Sequence, residues 1–252
     1  MADTPQLVAH RGYASRYPEN TMVAMEAAIA AGARYIECDI QFSQDRVALL
    51  FHDERLQRTT GQSGSILTTP FAKIRQLDAC ESSRLGDAFN AIPVPQLNDL
   101  IALLQRHPDV IAFVELKEET LNHFGIELVV DQVVEQLQPV IKQCVLISFN
   151  AQAMVYARHT PTPCTSIGWA IHHWNDDAHA TAQQLRPDYL FCNYQKLPPE
   201  PQPLWKGPWR WALYEVTDAA LALKLFQRGA ELIETMAVGE LADALARHQQ
   251  LR

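Results

Sequence analysis

Tyr35-Ile36-Glu37-Cys38-Asp39-Ile40-Gln41 is an apolar run interrupted at alternate positions by charged or polar side chains. Side chains two apart on a strand share a face, so Glu37 and Asp39 project together while Ile36, Cys38 and Ile40 pack behind them. The flanking apolar residues mark a strand buried inside a protein, not an exposed edge. The same arrangement recurs at Glu115-Leu116-Lys117, with Val114 and Leu116 on the reverse face. Three carboxylates and a lysine on strand interiors are costly to bury unpaired. A bound divalent cation reconciles them. His10-Arg11-Gly12 closes the first apolar run and His52-Asp53 closes another, so the whole set reads as a metal-assisted phosphate site.

Outward from these two segments, short apolar runs alternate with amphipathic helical stretches. The strand candidates are Leu7 to His10, Tyr35 to Gln41, Ile111 to Lys117, Val145 to Phe149, Thr165 to Ala170, Tyr189 to Asn193, Trp211 to Val216 and Leu232 to Thr235. Helix patterns cover Thr21 to Ala31, Gln96 to Arg106, Gly125 to Leu137, Ala151 to His159, Asp176 to Leu185, Asp218 to Arg228 and Gly239 to His248. A period of two switching repeatedly to a period of 3.6 implies parallel strands joined by crossover helices. Eight such strands predict an α/β fold of the closed (β/α)8 TIM-barrel type. His10, Glu37, Asp39, His52, Glu115 and Lys117 fall near the C-terminal ends of their strands, the rim where barrel sites lie.

Two segments break the rhythm. Residues 45 to 95 contain an extra strand-like Val47-Ala48-Leu49-Leu50-Phe51 followed by loop-rich sequence. Lys196 to Pro208 is rich in proline and is flanked or occupied by Trp205 and Trp209, which predicts a long ordered loop. Neither resembles a flexible linker, so residues 1–252 are expected to form one domain.

The 252 residues are 48% hydrophobic and 20% charged, enough for a substantial core. With 21 basic and 29 acidic residues the net charge is -8, which argues against nonspecific binding to nucleic acid or anionic membranes. The polar Met1 to Gln6 shows no signal-peptide pattern, and no apolar run approaches transmembrane length. Cys38, Cys80, Cys144, Cys164 and Cys192 are odd in number and lack zinc or disulfide spacing. They read as small buried hydrophobes in a reducing compartment, which predicts a cytoplasmic protein. Oligomeric state is not legible.

The chain resembles the glycerophosphodiester phosphodiesterase family. Its motifs stand here, in order, as His10-Arg11-Gly12, Pro18-Glu19-Asn20-Thr21, Glu37-Cys38-Asp39, His52-Asp53 and Glu115-Leu116-Lys117. Leu56-Gln57-Arg58-Thr59-Thr60-Gly61 and Ser148-Phe149 match as well. Each motif is short, but five in sequence are specific. The resemblance implies that residues 45–95 form a small insertion after the second barrel strand, built onto the barrel mouth. It also implies hydrolysis of a glycerophosphodiester to glycerol 3-phosphate and an alcohol, through a cyclic phosphate formed by the glycerol 2-hydroxyl.

Glu37, Asp39 and Glu115 are oxygen donors, which select a hard cation, Mg2+ or Ca2+, with Mn2+ a third candidate. Arg11 and Lys117 restore positive potential for a phosphodiester, arginine as a planar fork and lysine as a point charge. Gly12 permits close backbone approach to a ligand. His10 and His52 are the candidate general base and acid, and sequence does not say which is which. Thr21 or Asn20 is an N-cap candidate for the first helix. Glu19 carries no assigned role.

His172-His173-Trp174-Asn175-Asp176-Asp177-Ala178-His179 is metal-binding by composition only; its spacing fits no zinc pattern, and Asn175-Asp176 reads as a helix cap. Toward the C-terminus the chain departs from the family, with Tyr214-Glu215-Val216-Thr217 after the seventh strand and Met236 following Thr235. Phe149, Trp169 and Tyr214 are aromatic candidates for the pocket or the core. Two rival functions share the architecture: a lysophospholipase D, which needs an apolar groove, and a non-catalytic phosphodiester binder, which needs no histidine pair.

Overall fold

Parallel strands leave no edge when their sheet closes, and this sheet does close. The computed structural model describes residues 4–160 and 166–250; Met1 to Asp3, Cys164 and the predicted strand start at Thr165 lie outside the described residues. Among those described, eight parallel strands form the barrel: β1 (Gln6–Ala9), β2 (Tyr35–Phe42), β4 (Ile111–Leu116), β5 (Cys144–Ser148), β6 (Ile167–Ala170), β7 (Tyr189–Asn193), β8 (Arg210–Tyr214) and β9 (Ala230–Thr235). The strand β1 pairs with both β2 and β9, with Ala9 opposite Ile36 on one side and Thr235 on the other. The additional strand β3 (Ala48–Leu50) pairs antiparallel with β2, Ile40 opposite Leu50.

Alternation sorts the side chains into two apolar layers. Val8, Phe113, Val145, Ile147, Ala170, Phe191, Ala212 and Leu232 fill the barrel interior. Ile36, Cys38, Ile40, Val114 and Leu116 point outward and pack with the surrounding helices in the main core. The expected division of β2 and β4 into a charged face and an apolar face is therefore observed.

Local signals set the helix boundaries. Thr21 Oγ1 accepts from the Ala24 amide at 3.3 Å and starts Met22–Ala30. Asn150, Asn175 and Asp218 cap Ala151–His159, Asp176–Leu185 and Ala219–Gln227 in the same way. A helix absent from the sequence expectation, Glu118–Phe124, follows Lys117 directly and stops at Gly125, whose φ is 91°. Between β7 and β8 the sheet has a loop where a crossover helix would normally sit. Leu204 and Trp209 are buried there, and Trp205 stacks on Trp174 with centroids 4.0 Å apart. No helix among the described residues is long and apolar enough to cross a membrane.

The insertion has its own small core of Leu49, Phe51, Leu56, Ile66, Leu67, Ile74, Ala79 and Val94. Arg84 ties it to the loop after β1, donating to the Ala14 carbonyl at 2.6 Å and the Tyr17 carbonyl at 2.9 Å.

Candidate active site

At the C-terminal mouth of the barrel, charged side chains replace the apolar interior layer. His10 lies one residue past β1 and Lys117 one residue past β4. His52 arrives from the loop after β3. Glu37 and Asp39 are the third and fifth of the eight residues of β2, so they sit in mid-strand and not near its C-terminal end as the sequence suggested. Parallel register nonetheless sets Asp39 directly beside Glu115. All seven predicted site residues converge here.

Lys117 Nζ lies 2.9 Å from Glu115 Oε1 and 3.3 Å from Asp39 Oδ1. Arg11 approaches Asp39 Oδ2 to 3.2 Å through Nε, and its Nη1 donates to Glu19 Oε1 at 3.0 Å. The Arg11 backbone amide donates to Glu37 Oε2 at 3.0 Å, and Arg11 lies in the left-handed region, φ 55°. His10 Nε2 is 3.9 Å from Glu37 and 3.5 Å from Glu234. A cavity of about 120 Å³ opens above, lined by His10, Arg11, His52, Glu115, Lys117 and Glu234 together with Phe149, Tyr214 and Glu215.

Burial and crowding control the charges. Burial first, then Asp39, Glu234 and Glu115, push the Glu37 carboxyl well above the usual range. Glu234 is raised well above it too, by burial and then by Glu115 and Asp39. Asp39 is the exception: burial would raise it, but Lys117 and Arg11 hold it below the ordinary carboxylate range. Burial, then Arg11, push the His10 imidazole down to about 3.

This set fits a divalent cation. Glu37 Oε1 is buried with no hydrogen-bond partner, an arrangement that costs free energy unless something positive occupies the space. Glu37, Asp39 and Glu115 can offer three oxygens within 4.8 Å of one another. A second set, His10, Glu37 and Glu234, meets the same distance and shares Glu37. The all-oxygen set suits Mg2+ or Ca2+ better.

Several contributors had no site role assigned from the sequence. Glu234 is a fourth carboxylate, 3% exposed, on β9; its place between Ile233 and Thr235 repeats the signature of Glu37. Glu19 is buried and pairs with both Arg11 and Arg58. Asn20, also buried, has its amide directed at Asp39, whereas Thr21 alone makes the cap. Gly12 permits a close approach to the first helix: a Cβ there would sit 2.7 Å from the Ala24 carbonyl carbon. Phe149 and Tyr214 line the cavity, but Trp169 does not; it is core, its indole donating to the Phe149 carbonyl at 2.9 Å. The histidine-rich segment takes no part in either cation-competent set. There His172 pairs with Glu118 at 3.2 Å, and Asn175 caps the helix as expected.

A sequence profile of the Glycerophosphoryl diester phosphodiesterase family matches residues 10–200, a span that contains every one of the seven residues. The chain belongs to that family. It is 34% identical over 143 residues to a glycerophosphodiester phosphodiesterase of Bacillus altitudinis, covering 57% of each chain. It is 29% identical over 178 residues to glycerophosphodiester phosphodiesterase 1 of Homo sapiens, covering 69% of this chain and 53% of that one. The chain thus spans between half and three fifths of the length of these curated relatives. An Oleispira antarctica phosphodiesterase, solved in complex with the product sn-glycerol-3-phosphate, superposes with a TM-score of 0.81 at 25% identity, over 96% of this chain and 97% of that one.

Proposed function

We propose that this chain is a metal-dependent phosphodiesterase that hydrolyses glycerophosphodiesters to glycerol 3-phosphate and an alcohol. The observation that carries the reading is the convergence of His10, His52, Arg11 and Lys117 with a three-carboxylate cation site on one barrel mouth, in a member of this family. The Oleispira relative, whose bound product is sn-glycerol-3-phosphate, supports the choice of substrate.

In this reading Glu37, Asp39 and Glu115 hold one divalent cation, Mg2+ or Ca2+, with Mn2+ a third candidate. When bound, the ion supplies Lewis-acid stabilisation of charge on the phosphate and hydroxyl oxygens. Arg11 and Lys117 bind the phosphodiester anion, which frees them from part of their pairing with Asp39 and Glu115. One of His10 and His52 accepts the proton of the glycerol 2-hydroxyl as its oxygen attacks phosphorus. The other donates a proton to the departing alkoxide as the phosphorus–oxygen bond to the alcohol breaks. A cyclic phosphate results, and water opens it to glycerol 3-phosphate with the histidine roles reversed. Intramolecular attack is favoured because the nucleophile is already tethered beside phosphorus.

We also read residues 1–252 as one domain and the protein as cytoplasmic, a reading supported by the free thiols of Cys38, Cys80, Cys144 and Cys192. The decisive experiment is a metal-replete assay of glycerol 3-phosphate release from glycerophosphocholine, other glycerophosphodiesters and a lysolipid. Release from the glycerophosphodiesters is expected. Turnover of lysolipid alone would replace this reading with a lysophospholipase D, and no turnover of any diester would leave a binding protein.

A further inference from the structure

The two halves of the proposed chemistry come from different parts of the chain, Arg11 from the loop after β1 and His52 from the loop after β3. One side chain outside the seven joins them. Arg58 lies on the short insertion helix Gln57–Thr60. Its Nη1 and Nη2 donate to the two oxygens of Glu19 at 2.8 and 2.6 Å. Its Nε and Nη2 donate to the two oxygens of Asp53 at 2.7 and 3.0 Å.

Each of those carboxylates in turn holds one site residue. Glu19 Oε1 accepts from Arg11 Nη1 at 3.0 Å. Asp53 Oδ1 is 2.6 Å from His52 Nδ1. With Nδ1 donating to Asp53, the neutral ring keeps Nε2 as its acceptor, and the ring plane is fixed by the carboxylate. The array therefore runs Arg11, Glu19, Arg58, Asp53, His52 without a gap.

We propose that Arg58 is a positioning residue for the phosphodiesterase reaction, setting the orientation of His52 through Asp53 and of Arg11 through Glu19. This rests on the function proposed above. The bland alternative is that Arg58 merely neutralises buried Glu19 and stabilises the insertion. The geometry favours positioning, because four donor–acceptor contacts on two carboxylates use the planar fork of a guanidinium. A lysine would supply the same charge but could not engage both carboxylates in this way.

The test compares Arg58→Lys, Arg58→Ala and Arg58→Gly with His52→Gln, each saturated with cation, using glycerophosphocholine as substrate and thermal unfolding as the control for folding. Misplacing an acid–base group by a fraction of an ångström should lower kcat by about 10- to 100-fold in Arg58→Lys and Arg58→Ala. KM should rise as Arg11 loses its support. Added guanidinium ion, below the concentration that unfolds the wild type, should restore part of the rate to Arg58→Gly but not to His52→Gln. If Arg58 acts through His52, adding Arg58→Lys to His52→Gln should leave kcat no lower than in His52→Gln alone. An Arg58→Lys kcat within about twofold of wild type, with His52→Gln inactive, overturns the positioning role and leaves the proposed function standing. A kcat loss in Arg58→Lys that is additive with His52→Gln also overturns the proposal that Arg58 sets His52, as the effect would not pass through that ring. A fully active His52→Gln removes both readings together.

Discussion

Asn20 and Asp39 exchange two hydrogen bonds: Asn20 Nδ2 donates to Asp39 Oδ2 at 2.8 Å, and the Asp39 amide donates to Asn20 Oδ1 at 3.1 Å. Both residues are buried, at 2% and 1% exposure. Removing the Asn20 amide therefore strands the Asp39 backbone donor away from water and leaves Asp39 Oδ2 with one donor fewer beside Arg11. Asn20→Ala is expected to lose about 1–3 kcal/mol of stability in urea unfolding, and calcium should bind more weakly to a less restrained Asp39. Asn20 adopts φ 54°, which alanine tolerates poorly, so Asn20→Gly separates the two effects. Should Asn20→Gly unfold and bind calcium like the wild type, the paired hydrogen bonds would have no energetic role.

Activity should vanish in EDTA and return with Mg2+ or Ca2+. Calorimetry without substrate should find one calcium site that Glu115→Gln weakens severely and His10→Gln largely spares. The reverse ranking would move the ion to the His10, Glu37 and Glu234 set.

Proton release should accompany that binding. Glu37 is raised well above the ordinary carboxylate range by burial and then by Asp39, Glu234 and Glu115, so a proton and a cation compete for this carboxyl. Calcium affinity should rise with pH, and titrations in buffers of different ionisation enthalpy should register protons leaving. The stability sign follows for the cation-free protein. A raised carboxyl favours the fold fully below its unfolded pKa, and that contribution is lost as pH climbs through the folded value. Asp39, whose folded value is depressed, contributes in the opposite sense, above its unfolded pKa. Proton uptake on calcium binding would contradict the assignment of Glu37 as a ligand.

Replacing either His10 or His52 with Gln should cut kcat by a factor of about 100 or more while the fold survives. A nitrophenyl diester needs little help in expelling its leaving group. It should therefore rescue the variant lacking the acid and leave the variant lacking the base impaired, which decides the roles. If both variants respond alike to leaving-group pKa, the histidines do not divide the chemistry.

Gly12→Ala should destabilise the protein by about 2 kcal/mol or more. Its Cβ would meet the Ala24 backbone at 2.7 Å, and φ is 79°. Because Arg11 precedes it, substrate affinity should fall as well. A thermal unfolding midpoint equal to wild type would show that the helix can retreat at no cost.

Buried parallel strands leave a plain signature, and for that reason Tyr189–Asn193 and the helices Ala151–His159 and Asp176–Leu185 match the sequence reading at both ends. The paired charges at Glu37/Asp39 and Glu115/Lys117 were legible because a period of two is intrinsic to a strand. Glu118–Phe124 was not: Glu118, Glu119, Asn122 and His123 leave it without an apolar stripe, and its buried Thr120 serves Phe42 and Gln41 across the fold. Glu234 carried the right local pattern, but its meaning depends on β9 lying beside β1. Asn20 acts through Asp39, and Arg58 joins nearby Asp53 to distant Glu19, pairings on which propensity and spacing are silent.

The contact between His10 and Glu234 spans the seam where the barrel closes, and this has a consequence for biosynthesis. Translation delivers His10 well before Glu234, so a nascent chain carries one half of that pair until β9 follows. Until β9 emerges, β1 and β8 would each present an unpaired edge, the kind of surface that recruits foreign strands. The candidate site at the barrel mouth and the last sheet edge are then completed by the same event. A polypeptide cut short before β9 would lack Glu234 and keep both edges open, which makes it a client for chaperones that shield exposed strand edges.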